Sequence, residues 1–585
     1  MIAVDPGIVG PAYQAAMTLQ DAENAINYYL EVAEVDGAKA PVALLGTPGK
    51  LPILSTQAGQ VRGAWVLPGE LQALVVTGNT LYLINTTVLA TQSSIAQFSV
   101  TAVGTLLTNS GQVVMRDNGV VSNAKGGYVF IVDGVYWYYY AIVGITNFLT
   151  FTGGTSSSTT LSLPGTLPAG LIMSPGATVS SSTNDIPFGT YISSINYNVP
   201  SITLSTAATA TNASETITLT VAPFGRMTDP ALVPADRLIF IEGWILANQA
   251  NSRTFICSGP TPYTQTFPGA FFALKDSSTD NLVTMMEMNR EAWFIGERIA
   301  EVWYNNSGQN ANFPFSRVPG VGPQVGCSAK HSIARLATSL IWLAKNEQGE
   351  NVVIRTEQYA WSRISNHAIE TAISSYPLVS DAIGFAYEEA GHTFYQLTFP
   401  TADVTWVYDM TASTQLGKPC WHQRASFDPV AGQYHRDRAN CFMNLQNLRL
   451  VGDYTSGQIH QMSRSVYTDA GFPLRAQRRC KHIWKKDDRT RVSQSSLQIE
   501  FTPGIGLQAG QGSNPQAMAR WSNDGGFTWS NEHWLPIGAA GATKNRAKIN
   551  RLGRARDRIY EVNVSDPVPR DIIGATLFAE AEDAE

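Results

Sequence analysis

Charged residues are scarce in this sequence. Asp, Glu, Lys and Arg make up only 15% of the 585 residues, against roughly 25% in a typical globular chain. Hydrophobic residues still account for 44%, which indicates a folded chain with a large core. A surface this poor in charge is typical of neutral-polar β structure or of wide subunit contacts, because the cores of protein interfaces are depleted in charge.

Cysteines are few, odd in number and scattered. The five are Cys257, Cys327, Cys420, Cys441 and Cys480, and none forms a C-x-x-C pair. This pattern argues against a disulfide framework and indicates folding in a reducing cytoplasm. The N-terminal residues lack the basic and apolar regions of a secretory signal, and no run of about 18 apolar residues is long enough to cross a membrane. We therefore expect neither secretion nor a membrane span.

Common catalytic fingerprints are also missing. The sequence contains no G-x-S-x-G, H-E-x-x-H, P-loop or Rossmann motif. Four carboxylates lie close together in the sequence, at Asp276, Asp280, Glu287 and Glu291. A glycan hydrolase needs two carboxylates in one cleft with their pKa values pushed apart, and no such pair is marked here. We predict that the chain is not an enzyme and needs no cofactor.

Two cysteines and two histidines recur at short spacing and offer a metal-site alternative. They are Cys420, His422, Cys441 and His435. Thiolate and imidazole groups at such spacing can bind zinc. Because Cys420 and His422 fall in a predicted strand and no second close cysteine pair follows, the favoured interpretation is packing and hydrogen bonding, with no metal.

Strand-like segments recur in pairs along the chain. Each pair joins two runs rich in Val, Ile, Tyr, Phe and Trp across a short polar or Gly-containing turn, as a β-hairpin requires. The examples cover residues 71–85, 126–140, 236–248, 291–306, 339–355, 392–410 and 447–462. Hairpins at this density predict an all-β chain, either a β-propeller or a large sandwich, because radial repetition protects sheet edges. One helix is predicted over 364–376, with Ser365 or Asn366 as its N-cap.

Residues 146–223 differ from the rest in composition. They are rich in Ser, Thr and Gly, almost free of charge, and alternate Thr or Ser with Ile, Leu or Val. A low-complexity linker is the alternative interpretation. The period-2 alternation favours strands, and we predict a small β domain inserted between two hairpins of the main body.

The net charge of -6 is unevenly distributed, because basic residues gather in two groups after residue 470. The first group is Arg475, Arg478, Arg479, Lys481, Lys485, Lys486, Arg489 and Arg491. The second group is Lys544, Arg546, Lys548, Arg551, Arg554, Arg556 and Arg558. Such runs are most often solvated or ion-paired faces. The functional alternative is contact with DNA phosphate or with an acidic neighbouring subunit.

The segment SNDGGFTW at 522–529 matches the Asp-box pattern S-x-D-x-G-x-x-W. Its key residues are Ser522, Asp524, Gly526 and Trp529. The carboxylate caps a tight turn, glycine accepts positive φ, and the tryptophan packs beneath. This pattern predicts a β-hairpin and gives no catalytic role.

Three stretches together resemble the tail hub proteins of short-tailed bacteriophages, also described as packaged-DNA stabilisation proteins. The first is INYYLEVAEVDGAKAPVALLGTPG near the start, and the second runs from NREAWFIGERIAEVWYNN to GCSAKHSIA. The third combines NLRLVGDYTSGQI, ARWSNDGGFTWSNEHW and INRLGRARDRIYEVNVSDPV. The resemblance covers nearly the whole chain except 146–223.

The resemblance implies a propeller-like body with a C-terminal β-sandwich-like domain, and we expect six blades. The expected organisation is an N-terminal arm at 1–50, the first part of the propeller at 51–145, the inserted domain at 146–223, the second part of the propeller at 224–469, and the C-terminal domain at 470–585. It also implies a hexameric hub or nozzle that extends the DNA channel below the portal and adaptor. The implied partners are the adaptor, tail fibres, spikes or a needle, and double-stranded DNA in the lumen.

The resemblance places the protein in the virion tail, assembled in the cytoplasm of the host bacterium. Two other functions stay open at this point. A receptor- or glycan-binding tail module predicts exposed aromatic platforms, and a β-propeller glycan hydrolase predicts arginines and carboxylates clustered at the propeller centre. A structural hub predicts neither catalysis nor turnover.

Overall fold

The computed structural model describes residues 2–35, 37–88, 97–120, 127–142, 148–162, 178–187, 190–196, 201–220, 224–259, 267–306, 313–485 and 490–581. Within these ranges the chain forms 51 strands and two short helices. The predicted all-β class is confirmed. No helix in these ranges is long and apolar enough to span a membrane.

The N-terminal residues do not form a propeller blade of their own. Four strands, β1 (Ile2–Val4), β2 (Asn24–Ile26), β3 (Tyr28–Val32) and β4 (Val42–Gly46), join the C-terminal sheets, and β5 (Gly49–Ser55) joins the last blade. Asn27 turns the chain between β2 and β3 at φ +58°, a conformation that asparagine tolerates. Its side-chain amide donates to the backbone oxygens of Ala425 and Arg475 at 2.8 Å each. These hydrogen bonds connect the N-terminal strands to two distant segments of the chain.

The first three blades follow in chain order. Blade 1 is β6 (Val61–Val66), β7 (Gln72–Thr77), β8 (Thr80–Val88) and β9 (Gln97–Thr105). Blade 2 is β10 (Val114–Asp117), β11 (Tyr128–Val132), β12 (Trp137–Ala141) and, after the insertion, β19 (Phe224–Arg226). Blade 3 is β20 (Leu238–Ile241), β21 (Trp244–Asn248), β22 (Thr254–Cys257) and β23 (Phe272–Leu274).

The insertion forms two sheets of its own between β12 and β19. Its strands are β13 (Phe148–Thr155), β14 (Thr160–Ser162), β15 (Thr178–Ser181), β16 (Ile192–Asn196), β17 (Ser201–Leu204) and β18 (Asn212–Thr220). The order β15-β18-β13-β14-β17-β16 makes β13 and β14 the link between the sheets. Alternating apolar residues such as Leu161, Ile202 and Ile217 fill the core between them, as the period-2 pattern predicts.

The next two blades are also four strands wide. Blade 4 is β24 (Leu282–Met288), β25 (Glu291–Gly296), β26 (Ala300–Asn305) and β27 (Phe315–Arg317). Blade 5 is β28 (Gly326–Cys327) and β29 (Ala334–Leu336), which share the inner position, then β30 (Ser339–Lys345), β31 (Asn351–Glu357) and β32 (Ala360–Arg363).

The last two blades complete the ring. Blade 6 is β33 (Ile383–Glu389), β34 (His392–Phe399), β35 (Val404–Asp409) and β36 (Cys420–Gln423). A hairpin of β37 (Ala425–Asp428) and β38 (Gln433–Arg436) follows. Blade 7 is β39 (Ala439–Leu445), β40 (Leu448–Asp453), β41 (Gln458–Ser463) and β5, with β42 (Thr468–Asp469) and β43 (Phe472–Pro473) beyond it.

In the described part of the chain the ring has seven blades, so the expectation of six is wrong. The inner strands β6, β10, β20, β24, β29, β33 and β39 contact one another in that order, and β39 contacts β6. Seven separate hydrophobic clusters fill the seven gaps between neighbouring blades. Each blade therefore buries both faces against its two neighbours. The ring closes because β5 pairs antiparallel with β41, with Lys50 opposite Met462.

The C-terminal residues form a β-sandwich that includes the N-terminal strands. Its strands are β44 (Ala476–Arg479), β45 (Ile483–Trp484), β46 (Val492–Phe501), β47 (Gln516–Ser522), β48 (His533–Pro536), β49 (Ala547–Ala555), β50 (Asp557–Val564) and β51 (Ile572–Ala581). One sheet has the order β3-β4-β51-β46-β49, and the other runs β2-β44-β50-β47-β48. Tyr28, Leu497 and Val562 pack together in the core between them.

Helix α1 (His367–Ser374) lies inside the range predicted for it. Asn366 is the N-cap, and its side chain accepts a hydrogen bond from the Ile369 backbone at 3.0 Å. Helix α2 (Met410–Leu416) was not predicted. Asp409 caps its start, and Gly417, at φ +65°, ends it. The sequence of α2 is short and rich in Thr and Ser, residues that are neutral or unfavourable in helix interiors, so no helical pattern stood out.

Candidate interaction surfaces

The Asp-box turn lies in the sandwich, between β47 and β48, outside the propeller. Ser522 Oγ accepts from the Gly526 backbone at 2.9 Å and donates to Asp524 Oδ1 at 2.6 Å. The Thr528 backbone and hydroxyl both donate to Asp524. These hydrogen bonds from Ser522 and Thr528 lower the pKa of Asp524 to about 2. Because Ser522, Asp524 and Thr528 use their side chains on one another and on the backbone of the turn, the motif is a structural device.

Trp529 forms the base on which two arginines lie. The guanidinium carbons of Arg479 and Arg520 are 5.1 and 4.8 Å from its ring centre. Both arginines also bind the buried Glu561, with Arg479 Nε 2.7 Å from Oε2 and Arg520 Nε 2.8 Å from Oε1. Their positive charges lower the pKa of Glu561 against the effect of burial, which alone would raise it. Arg479 therefore belongs to an internal ion-pair network.

Two of the predicted contact residues are buried and cannot reach a partner. Arg478 is 0% exposed, and its guanidinium donates to the backbone oxygens of Ile8 at 2.7 Å and Gly7 at 3.2 Å. It thereby anchors the N-terminal arm on β44. Arg558 is 3% exposed and donates to the Leu552 oxygen at 2.7 Å. The sequence prediction is wrong at both positions because charge runs do not reveal which side chains point inward.

The remaining residues of the first basic group are divided. Arg475 is half-buried, with its guanidinium 4.9 Å from the Phe427 ring centre and 3.8 Å from Glu532. Lys485 is exposed just after β45. Lys486 lies outside the described residues. Arg478 and Arg479 of the same group are held in internal contacts.

The second basic group forms a continuous exposed feature, which we name the basic edge. Its members, all exposed, are Lys544, Arg546, Lys548, Arg551, Arg554 and Arg556. Lys548, Arg551 and Arg554 lie on β49, and the other three lie just before or after it. Strand β49 is at the end of its sheet, where it pairs with β46. Arg551 has φ +61°, where the register with β46 shifts. Charges and bulges at an edge strand discourage unwanted strand pairing, and the same cations create a positive surface for an acidic partner.

A buried charge network holds the closing strand of the propeller. Lys50 Nζ on β5 lies 2.6 Å from Asp437 Oδ2 and 3.2 Å from Asp469 Oδ1. Arg438 Nε binds the other oxygen of Asp469 at 2.9 Å. Burial opposes the charge on Lys50, but the two carboxylates outweigh it and raise its pKa. Arg438 Nη1 also lies 3.6 Å from the buried Asp453 Oδ2, so positive and negative groups alternate through the network.

A second buried group lies between the arm and blade 6. His392 Nδ1 is 2.8 Å from Asp409 Oδ2, and Nε2 is 3.0 Å from Glu31 Oε2 on β3. Burial lowers the pKa of His392, but the hydrogen bonds and charges of Asp409 and Glu31 outweigh it, so the pKa is raised. Protonated His392 therefore bridges two carboxylates from distant parts of the chain.

A cavity of about 170 Å³ lies where the inner strands meet at the propeller axis. Arg237 is 8% exposed, its Nε has no partner within the described protein, and burial lowers its pKa to about 10. Arg116 Nε lies 4.0 Å from Glu287 Oε1. His331 lines the same cavity, and burial together with the charge of Arg237 lowers its pKa well below its ordinary value. The cavity wall is suited to an anion, since its uncompensated charge is positive.

The four residues considered for zinc do not form a site. Cys420 and His422 lie on β36, and His422 packs against aromatic rings of Tyr29 and Phe394. His435 is bound by Asp403 at 2.7 Å, and Cys441 lies on β39. In the ranges that the structure describes, no group of three or more His, Cys, Asp or Glu side chains is placed to hold a metal.

Sequence reasoning missed the two internal networks. Lys50 is the only charged residue of its apolar strand. Asp437 lies between Arg436 and Arg438, so this segment was interpreted from its arginines. An isolated lysine among apolar strand residues was the available signal, because such a residue is rarely buried unless paired. Its partners are 387 and 419 positions away, so the pairing required the fold.

Solved structures resemble the chain only weakly. A putative 6-phosphogluconolactonase from Bacteroides uniformis is 10% identical, with 75% of this chain and 99% of that chain covered and a TM-score of 0.31. Hsv2 of Kluyveromyces lactis is 7% identical, with 64% and 96% covered and a TM-score of 0.25. PorZ of Porphyromonas gingivalis is 6% identical, with 77% of this chain but only 44% of PorZ covered and a TM-score of 0.29. Likeness at this level carries no functional argument, and no curated protein matches the chain.

Family models give the decisive match. The model described as bacteriophage P22 Gp10, β-propeller, matches residues 177–467. The model described as bacteriophage P22 Gp10, β-sandwich, matches residues 476–580. Together the two matches cover more than half of the chain, and they agree with the propeller and sandwich seen in the structure. The resemblance drawn from the sequence is confirmed: the chain belongs to the bacteriophage P22 Gp10 family of tail nozzle and DNA stabilisation proteins, and it is a structural component of a phage virion.

Proposed function

We propose that this chain is the subunit of a hexameric tail hub that extends the DNA channel below the portal and adaptor. The ring retains the packaged genome and docks fibres, spikes or a needle, and it assembles in the host cytoplasm. Family membership and the charge-poor surface support this proposal. A ring subunit needs wide lateral faces, and interface cores of this kind are depleted in charge.

The basic edge is the single feature that carries the proposal. Six exposed cations lie on one edge strand of the sandwich or directly beside it in the chain, while the chain as a whole has a net charge of -6. A positive edge on an acidic chain suits contact with the acidic face of a neighbouring subunit or of the adaptor, because complementary potentials guide and align association. Contact with DNA phosphate is the other outcome that the experiment below separates.

Charge reversal at the basic edge tests the assembly role. Arg554→Glu and Arg556→Glu together should remove this chain from purified virions, because two attractive contacts become repulsive. Arg317→Glu, at an exposed position on β27 in blade 4, is the matched control and should leave incorporation unchanged. Incorporation is measured by quantitative immunoblotting of purified particles. Normal incorporation of the double variant with loss of DNA retention would assign the basic edge to DNA, and normal incorporation with full infectivity would reject any role for it.

The ring and its position need separate measurements. Mass measurement of the purified protein, alone and with the adaptor, should give six copies per assembly. Immunogold electron microscopy should place the label at the distal end of the tail in intact particles. Label absent from intact particles would contradict the hub proposal.

Glycan binding by the propeller is a second candidate, favoured by the axial cavity. Arg116 and Arg237 line it, Arg237 Nε has no partner within the described protein, and guanidinium groups recognise carboxylates well. The test is binding and turnover of carboxylate-bearing glycans by the purified protein, with Arg237→Met as the comparison. Binding without turnover would favour a receptor module, and turnover would establish a hydrolase.

A further inference from the structure

The insertion contains only two charged residues, and the fold brings them together. Across residues 146–223 the charged side chains are Asp185 and Glu215, and the stretch has no Lys, Arg or His. Asp185 lies in the connection between β15 and β16, and Glu215 lies on β18. Two like charges that are 30 positions apart in a neutral domain would be expected to lie apart, since their repulsion is unfavourable. Something must compensate for their proximity.

Both carboxylates converge on one hydroxyl. Thr183 Oγ1 lies 2.8 Å from Asp185 Oδ2 and is also hydrogen-bonded to Glu215 Oε2. A hydroxyl has a single proton to donate, so it satisfies one of the two anions and presents only lone pairs to the other. Asn212 completes the group, with its side-chain amide nitrogen 3.5 Å from Asp185 Oδ2. The local hydrogen bonds therefore leave the second negative charge uncompensated.

Unpartnered oxygens point to a missing ligand in the same place. Glu215 is only 5% exposed, and its Oε1 is buried with no hydrogen-bond partner within the described protein. Thr155 is 4% exposed, its Oγ1 is equally without a partner, and it pairs with Asn212 across β13 and β18. A buried carboxylate oxygen without a partner is costly. The group thus offers oxygen ligands to a cation, and the insertion has no basic side chain that could take that place.

We propose that the insertion binds a divalent cation of the Ca²⁺ class through Asp185 and Glu215. Thr183 and Thr155 supply hydroxyl oxygens, and Asn212 supplies its amide oxygen after a rotation that exchanges the nearly equivalent oxygen and nitrogen. Ca²⁺ accepts such a mixture of carboxylate and neutral oxygens in flexible geometry, whereas Mg²⁺ demands a near-ideal octahedron. Zinc is disfavoured, because the insertion has no His or Cys and zinc prefers nitrogen and sulfur ligands.

The cation would act as a clip between the two sheets of the insertion. Asp185 and Thr183 lie on the connection that leaves β15 in one sheet and enters β16 in the other. Glu215 and Asn212 lie on β18, in the first sheet. Joining the connection to β18 fixes how the sheets stack. With two carboxylates, we expect a Kd of about 10⁻⁴–10⁻³ M, the range of extracellular calcium modules.

Calcium titration of the full chain tests the proposal. Isothermal titration with Ca²⁺ alone, and luminescence of Tb³⁺ as a probe of the same site, should show one bound ion per chain. Glu215→Gln and Asp185→Asn should each weaken binding roughly tenfold or more, because each removes one of the two anionic ligands. Glu347→Gln is the control, since Glu347 is an exposed carboxylate in the β30–β31 turn and should not affect binding.

Limited proteolysis of the insertion gives a second, independent measurement. Ca²⁺ should slow cleavage within 146–223 in the wild-type chain and should have no effect in Glu215→Gln. If Glu215→Gln fails to fold, as judged by circular dichroism, Asp185→Asn and Thr183→Val give the same comparison. No Ca²⁺ binding by the wild-type chain, or binding that persists in both carboxylate variants, would overturn the proposal. Equal resistance to cleavage with and without Ca²⁺ in the wild-type chain would overturn it too.

Discussion

Replacing Lys50 by Met would remove the counter-charge from two buried carboxylates. Lys50 lies between Asp437 and Asp469, at 2.6 and 3.2 Å, and its side chain is 5% exposed. Methionine preserves most of the apolar stem while deleting the charge. The substitution therefore tests the ion pair more than the packing.

The expected cost follows from what remains after the substitution. Asp469 keeps Arg438 at 2.9 Å, so its charge stays largely compensated. Asp437 keeps the neutral hydrogen bonds from Gln396 at 3.2 Å and the Ala439 backbone at 2.9 Å, and the weaker electrostatic attraction of Arg424. Breaking a buried pair by removing one partner costs about 3–5 kcal/mol. Against a typical domain stability of roughly 5–15 kcal/mol, this loss should open the ring at its closing strand.

Urea denaturation followed by tryptophan fluorescence measures the effect, because Trp293 and Trp342 are buried within the propeller. The midpoint of the propeller transition should fall in Lys50→Met. Lys39→Met is the matched control, since Lys39 is 84% exposed and pairs with Glu500 at the surface, where such a pair contributes at most about 1 kcal/mol. Adding Asp437→Asn to Lys50→Met should restore part of the lost stability, because the uncompensated charge is then removed.

A propeller midpoint in Lys50→Met equal to that of the Lys39→Met control would refute the reasoning. It would mean that water or a rearranged arginine compensates for Asp437 without cost. If adding Asp437→Asn to Lys50→Met restores no stability, the loss in Lys50→Met would instead be due to altered packing.

Two further predictions concern the arm. Arg478→Met should release the arm from β44, because the guanidinium donates to backbone oxygens of the arm and to Glu23; faster proteolysis at the N-terminus would show this, and unchanged resistance would contradict it. The stability that His392 gives to the junction should depend on pH, because Asp409 and Glu31 raise its pKa. A raised pKa means that this contribution is fully present below the unfolded value of about 6.5 and is lost as pH rises through the folded value. The denaturation midpoint of the wild-type chain should therefore decline over that window more than that of His392→Gln, and parallel pH profiles would exclude the bridge.

The hairpins predicted from the sequence already indicated the correct number of blades. Each of the seven hairpins found from residue type and turn chemistry lies in a different blade of the propeller, for example β7–β8 in blade 1 and β40–β41 in blade 7. Hairpins are encoded locally, since a short turn fixes the pairing of adjacent strands. The blade count could thus have been read from the hairpins. The inserted Ser/Thr-rich segment was also visible, because its alternation has the period of a strand.

The candidate sites were predicted less well than the fold. The Asp-box residues form the expected turn, and the exposed arginines of β49 lie together as one basic edge. Arg478 and Arg558, which belong to the same charge runs, are buried. A run of basic residues gives the charge of a segment but not the direction of each side chain, which depends on the sheet that covers it.

The sequence by itself determined the all-β class, the hairpins, helix α1 and the family, because each rests on residues close together in the chain. Only the tertiary structure decided how the ring closes, through β5 and β41, and how Lys50 finds Asp437 and Asp469. It also decided that Asp185 and Glu215 meet. These contacts join residues separated by 30 to more than 400 positions. No local pattern encodes them, because they form only when the packing of the sheets brings distant strands to one place.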